Sequence, residues 1–167
     1  QSEQLLAFGM ENLRSELLET SVQYYATLAK VGGESEQARA DRAHAYYRLG
    51  ATYQQIGKIS RAIDAYETSL EQYDRLVRDY PNNVEYQIAE ATLRGSLGDI
   101  LVFNQRAKDA APYLQQARRQ MTRLLENQPE LDELRRRLAY ATLQDGERLR
   151  QSGEMELAEA AFERSIE

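Results

Sequence analysis

The sequence has no cysteine, a single histidine, only three prolines and few valines or isoleucines. Without cysteine, disulfide frameworks, thiolate metal sites and cysteine nucleophiles are excluded. One histidine, His44, cannot form a two-histidine metal site and supplies little acid–base chemistry. Scarce valine and isoleucine argue against a sheet, and nine glycines with three prolines are too few for a loop-rich or disordered chain. No apolar run approaches the roughly 18 residues of a membrane span, and no signal-peptide pattern opens the chain. The residues do not fix the compartment; the cytoplasm is favoured, with no direct membrane insertion. What remains is 167 residues, 42% hydrophobic and 29% charged, with a net charge of −6. That length suits one domain. The negative sign argues against nucleic acid or anionic membrane as a general partner. Charge is evenly spread: residues 1–81 carry 12 acidic and 9 basic side chains, leaving 15 and 12 for residues 82–167.

The informative feature is a repeat. Gly50, Gly98 and Gly146 lie 48 residues apart, as do Ala43, Ala91 and Ala139, and Ala62, Ala110 and Ala158. Large residues follow at Tyr66, Leu114 and Phe162 and at Tyr53, Leu101 and Leu149; small ones recur at Ser69, Ala117 and Ser165. Pro81 is matched by Pro129, Gly57 by Gly153, and Leu28 by Leu76 and Leu124. Apolar spacing of three and four makes each unit a helix pair, with proline closing the second helix. Short punctuation at Gly57-Lys58, Asn104-Gln105 and Gly153-Glu154 divides the pair. The predicted helices are 11–31, 35–56, 59–79, 83–104, 107–127, 131–152 and 155–167, after a short remnant at 2–8.

Glycine inside a helix costs about 1 kcal/mol against alanine. Its recurrence at 50, 98 and 146 predicts a neighbouring helix passing close to the backbone, with Tyr66, Leu114 and Phe162 filling the space one turn from the alanines. Stacked neighbours would supply the core that one pair cannot make alone.

These residues resemble the tetratricopeptide repeat. Leu49-Gly50, Tyr53, Gly57, Ala62, Tyr66, Ser69 and Pro81 follow its pattern, as do Leu97-Gly98, Leu101, Ala110, Leu114, Ala117 and Pro129, then Gly146, Leu149, Gly153, Ala158, Phe162 and Ser165. The resemblance implies an all-α fold: a right-handed α-α superhelix, or solenoid, of about three and a half stacked antiparallel helix pairs. It reads as a partial repeat 1–33, repeats 34–81 and 82–129, and a truncated repeat 130–167, a single repeat domain from a larger protein. Long helices packing as a bundle are the alternative architecture. The family's usual unit is 34 residues; the 14 extra split as seven per helix, about two turns each, so buried faces keep their direction. Arg94 and Thr142 replace the aromatic kept at Tyr46, and Asp145 replaces the leucine before Gly146, predicting that the third unit packs less well or sits near an end. Long units of this kind look like arrays carried C-terminal to bacterial serine/threonine kinases. That likeness implies a kinase parent, membrane-anchored in some cases, though no kinase motif is present.

Such arrays generally bind peptides along the concave face of the first helices. The implied contact positions are His44, Tyr47, Arg48 and Gln55; Thr92, Ser96, Asp99 and Phe103; and Tyr140, Gln144, Glu147, Arg150 and Gln151. A solvated face is the plainer reading of the same residues. The implied function is non-catalytic, binding a protein or peptide with no cofactor and no metal. The alternatives are a kinase docking arm and a structural array self-associating through exposed end helices. Chaperone-tail binders clamp a terminal carboxylate with lysine, asparagine and arginine where this chain has Tyr47, Ala51, Ser96, Tyr140 and Gln144, so that activity is not expected. Asp99 and Glu147 would be a carboxylate pair between units, without a base, nucleophile or metal beside it. Arg135-Arg136-Arg137 could meet phosphate, but Glu130, Asp132 and Glu133 just before it make a solvated helix start the simpler reading.

Overall fold

A computed structural model describes residues 2–164, which contain seven α-helices and no strand. They are α1 (Ser2–Leu28), α2 (Glu36–Gln55), α3 (Ile59–Asp79), α4 (Val84–Phe103), α5 (Ala107–Asn127), α6 (Asp132–Gln151) and α7 (Met155–Arg164). From α2 to α6 the bounds agree with the spacing to within a residue. At the start they do not: α1 is one continuous helix across Gly9, with no break after a remnant at 2–8. A lone glycine costs a helix about 1 kcal/mol and does not end it. The same helix stops at Leu28 instead of 31, tightening into i−3 bonds from Lys30 N–H to the Thr27 carbonyl and Val31 N–H to the Leu28 carbonyl. The end of the last expected helix, 165–167, with Ser165, lies outside the described residues.

Helix ends follow local chemistry. Ser35 Oγ accepts the Ala38 N–H at 3.2 Å and Asn83 Oδ1 the Tyr86 N–H at 3.2 Å, capping α2 and α4. Pro81 and Pro129 follow the ends of α3 and α5. The three corners inside the helix pairs share one hydrogen-bond pattern. Gly57, Gln105 and Gly153 bond back three residues, and Lys58, Arg106 and Glu154 bond back five, at 2.9–3.1 Å. This double bond satisfies the last carbonyls and requires a left-handed residue. Gly57 (φ +73°) and Gly153 (φ +81°) supply it freely, while Gln105 (φ +60°) bears a Cβ in the same conformation.

The chain packs as two compact units, Gln1–Gln72 and Tyr73–Glu167. In the first, α1 packs on α2, and α3 is tied to α2 by Ser69 Oγ donating to the Ala43 carbonyl at 2.7 Å. In the second, α4 packs on α5, α5 on α6, and α6 on α7, while α6 also packs on α4. That unit's main core joins Ala91, Ala117, Met121, Leu124 and Leu134. The expected close approaches occur in both units. A Cβ at Gly50 would lie 2.5 Å from Tyr66 Cδ1, one at Gly98 2.5 Å from Leu114 Cδ2, and one at Gly146 2.6 Å from Phe162 Cε1. Ala62, Ala110 and Ala158 are fully buried beside them.

Asp145 does not loosen the third unit as expected. It is 4% exposed and shared by two arginines: Arg148 Nε donates to Oδ1 at 2.8 Å and Arg118 Nη1 to Oδ2 at 2.9 Å. Arg94, in the aromatic's place, likewise joins Glu90 at 2.6 Å and Asp74 at 2.8 Å, and Gln120 Nε2 donates to the other Glu90 oxygen. Burial raises the Glu90 carboxyl above its ordinary range, with the hydrogen bond to Asp74 adding to the rise and Arg94 opposing it.

Two substitutions test this packing. Gly98→Ala should cost about 1–3 kcal/mol through overpacking. Gly95→Ala, one turn earlier, meets only Met121 Cε at 3.9 Å and should instead stabilise by about 0.5–1 kcal/mol. Equal shifts in urea midpoint would refute the notch at Gly98. Asp145→Leu restores the leucine found at Leu49 and Leu97, yet should destabilise by about 3 kcal/mol because it strands buried arginine charge. An unchanged midpoint would show that the pairing contributes nothing.

Candidate functional site: the exposed face of α4 and α6

The contact positions fall in both units. On α2, His44 and Gln55 are exposed. Tyr47 is half-buried, its ring 5.8 Å from the Tyr66 ring and 6.3 Å from His44, so part of it serves the core. Arg48 Nε donates to the Tyr25 phenol oxygen at 3.3 Å, with its guanidinium carbon 5.7 Å from that ring's centre. The hydrogen bond raises the Arg48 pKa further above its ordinary value. Arg48 is thus fixed to α1 by a cation–π contact.

The second unit brings most of the remaining positions together, because α4 and α6 are packing neighbours. Tyr140 Oη on α6 donates to Asp99 Oδ1 on α4 at 3.1 Å. Gln151 Nε2 donates to the Val102 carbonyl at 3.1 Å and to Glu147 Oε1 at 3.2 Å. Arg150 Nε closes on Glu147 Oε2 at 2.8 Å. Asp99 and Glu147 therefore do not pair; each carboxylate takes a different donor. Ser96 is half-buried and donates back to the Thr92 carbonyl of its own helix at 3.2 Å. Gln144 is buried beneath the Tyr140 hydroxyl, to which it hydrogen-bonds, and offers little to a partner. What stands out from this pinned polar frame is aromatic: Phe103 is 67% exposed and Tyr140 48%. Leu143, which the repeat did not single out, is 42% exposed on α6; it shares its place in the repeat with Tyr47 and Gly95, so no common residue type marks it.

The electrostatics follow from this geometry. Burial raises the Asp99 carboxyl, opposed by the Tyr140 hydrogen bond. Arg150 lowers Glu147. Burial, then the Asp99 charge and hydrogen bond, push the Tyr140 phenol up to about 12. Among the described residues no three histidine, aspartate or glutamate side chains gather where a metal could sit, and no helix is long and apolar enough to cross a membrane.

Because the folded phenol holds its proton more tightly than the unfolded one, its contribution to stability is complete below the ordinary value of 10.0 and is lost as pH rises toward 12. Titrating the tyrosine Cζ resonances should show Tyr140 ionising well above 10, toward about 12. Asp99→Asn should bring that ionisation only partway back toward 10, since burial persists. An unchanged Tyr140 titration in that variant would break the Asp99 link.

With the geometry in place, comparison with known families has a structural meaning. A sequence profile described as tetratricopeptide repeat matches residues 43–74, from buried Ala43 on α2 to Asp74 on α3, taking in the Gly50–Tyr66 approach. No curated protein matches the chain. The match and the all-helical architecture of the described residues support a tetratricopeptide-type repeat array, an all-α fold whose repeats generally mediate protein–protein interaction.

Proposed function

We propose that this chain is a non-catalytic interaction module that binds a partner protein or peptide on the α4–α6 face. The carrying observation is the exposure of Phe103 and Tyr140 within a frame of side chains already held by one another. Exposed aromatic side chains on rigid supports are the residue type that dominates binding energy at interfaces, because little conformational freedom is lost when they are covered. Asp99, Glu147, Arg150 and Gln151 form the polar rim, and their mutual bonds fix the surface before a partner arrives. Arg48, His44, Tyr47 and Gln55 offer a second surface on α2, weaker in this reading because Tyr47 and Arg48 are committed to Tyr66 and Tyr25.

A second reading, self-association, is favoured by exposed apolar side chains on the helices first and last in order: Leu13 and Leu17 on α1, Met155 and Leu157 on α7. It requires no residue of the α4–α6 face.

A photo-crosslinking amino acid placed at Phe103 or Glu147, and in parallel at exposed Gln115 on α5, separates these readings. Cross-links to another protein from the two face positions but not from Gln115 are the expected result. Cross-links to a second copy of the chain, or equal yields at all three positions, would overturn the α4–α6 assignment. Phe103→Ala with Tyr140→Ala should weaken capture by about tenfold or more, while helicity is retained.

A further inference from the structure

The run Arg135-Arg136-Arg137 does not act as one basic patch. Arg136 and Arg137 both turn to Glu133 on their own helix. Arg135 departs from them: it is held by Asp132 and by the Pro129 carbonyl, and lines a cavity of about 470 Å³ together with Arg118 of α5 and Arg164 of α7. Three helices thus bring three arginine side chains to one space, and no acidic residue is among its lining residues.

The carboxylates that hold these arginines lie outside the cavity's lining: Asp145, shared by Arg118 and Arg148, and Asp132 beside Arg135. Arg148 also approaches Glu154 at 3.8 Å, so what the cavity offers is hydrogen-bond donors more than net charge. A guanidinium has five N–H donors; the bonds above take one of Arg118's and two of Arg135's. Both side chains are therefore fixed while keeping donors to offer. Thr122 adds a hydroxyl, and Leu138 and Ala139 give the cavity an apolar wall.

We propose that this cavity binds a phosphomonoester carried on a serine or threonine side chain of a partner protein. A phosphate dianion is matched by several arginines through charge-assisted, bidentate hydrogen bonds. A chain of net charge −6 repels nucleic acid and anionic membrane at longer range. The Leu138–Ala139 wall gives the methyl and Cβ of a phosphothreonine an apolar contact. The site shares no residue with the α4–α6 face and stands independently of what that face binds.

The test compares Arg135→Gln/Arg164→Gln with Arg136→Gln/Arg137→Gln, which removes the same charge from neighbouring positions outside the cavity. Both pairs spare the buried Asp145 cluster, and circular dichroism checks their fold. The probes are inorganic phosphate, a short neutral peptide with a central phosphothreonine, its unphosphorylated form and a single-stranded oligonucleotide, read by ³¹P NMR or fluorescence anisotropy. The phosphopeptide should bind wild type and the 136/137 variant alike and at least about tenfold more weakly to the 135/164 variant, with no binding of the unphosphorylated form. Equal loss in both variants would mean diffuse charge attraction and overturn the site. Binding of phosphate without the peptide, tighter binding of the oligonucleotide, or no phosphate-dependent binding would overturn the proposed ligand.

Discussion

Three glycines make the helix pairs possible. At Gly50, Gly98 and Gly146 the absence of a side chain lets Tyr66, Leu114 and Phe162 lie against bare backbone, in space a Cβ would fill. The cost of glycine in a helix interior is repaid by the contact of a large side chain with the facing helix. Buried alanines at 62, 110 and 158, one turn before those side chains, let the second helix come close.

This constraint is why most of the fold was legible. Glycine, alanine and a bulky residue at a fixed spacing are visible in one sequence, and the left-handed corners show through Gly57 and Gly153. Gln105 completes that set only in the structure, since glutamine does not advertise a positive φ. The expected break after residue 8 is absent from the structure, because one glycine does not terminate a helix that stays favourable on either side. Asp145 and Arg94 were misread because spacing compares each residue with its counterparts, leucine or aromatic. Each has one partner on its own helix, Arg148 and Glu90, and one on another, Arg118 and Asp74, none with a counterpart of the same charge in the repeat.

The candidate surface was legible as a set of positions and illegible as a surface. Spacing placed Asp99, Phe103, Tyr140 and Gln151 on neighbouring helices, where Asp99 meets Tyr140 and Gln151 meets the backbone at Val102. It could not say which side chains spend their polar groups on each other. Gln144 and Ser96 are consumed by their own neighbours, and Phe103 stays outside. Such outcomes depend on side-chain length and on which donor reaches an oxygen first, neither of which has a period.

The two kinds of position obey different rules. A residue inside the glycine approach answers to one fixed volume, so its type recurs: tyrosine, leucine, phenylalanine. A residue on the outer face answers to no volume, so His44, Thr92 and Tyr140 can occupy one place in successive units without disturbing the frame. The arginine-lined cavity belongs to neither class. Arg118, Arg135 and Arg164 sit at unrelated places in the repeat, and Leu70 and Gln116 stand where two of them would be expected one unit earlier. A repeating frame thus fixes the helix pairs, while the exposed aromatics of the α4–α6 face and the arginines of the cavity sit where the repetition fails.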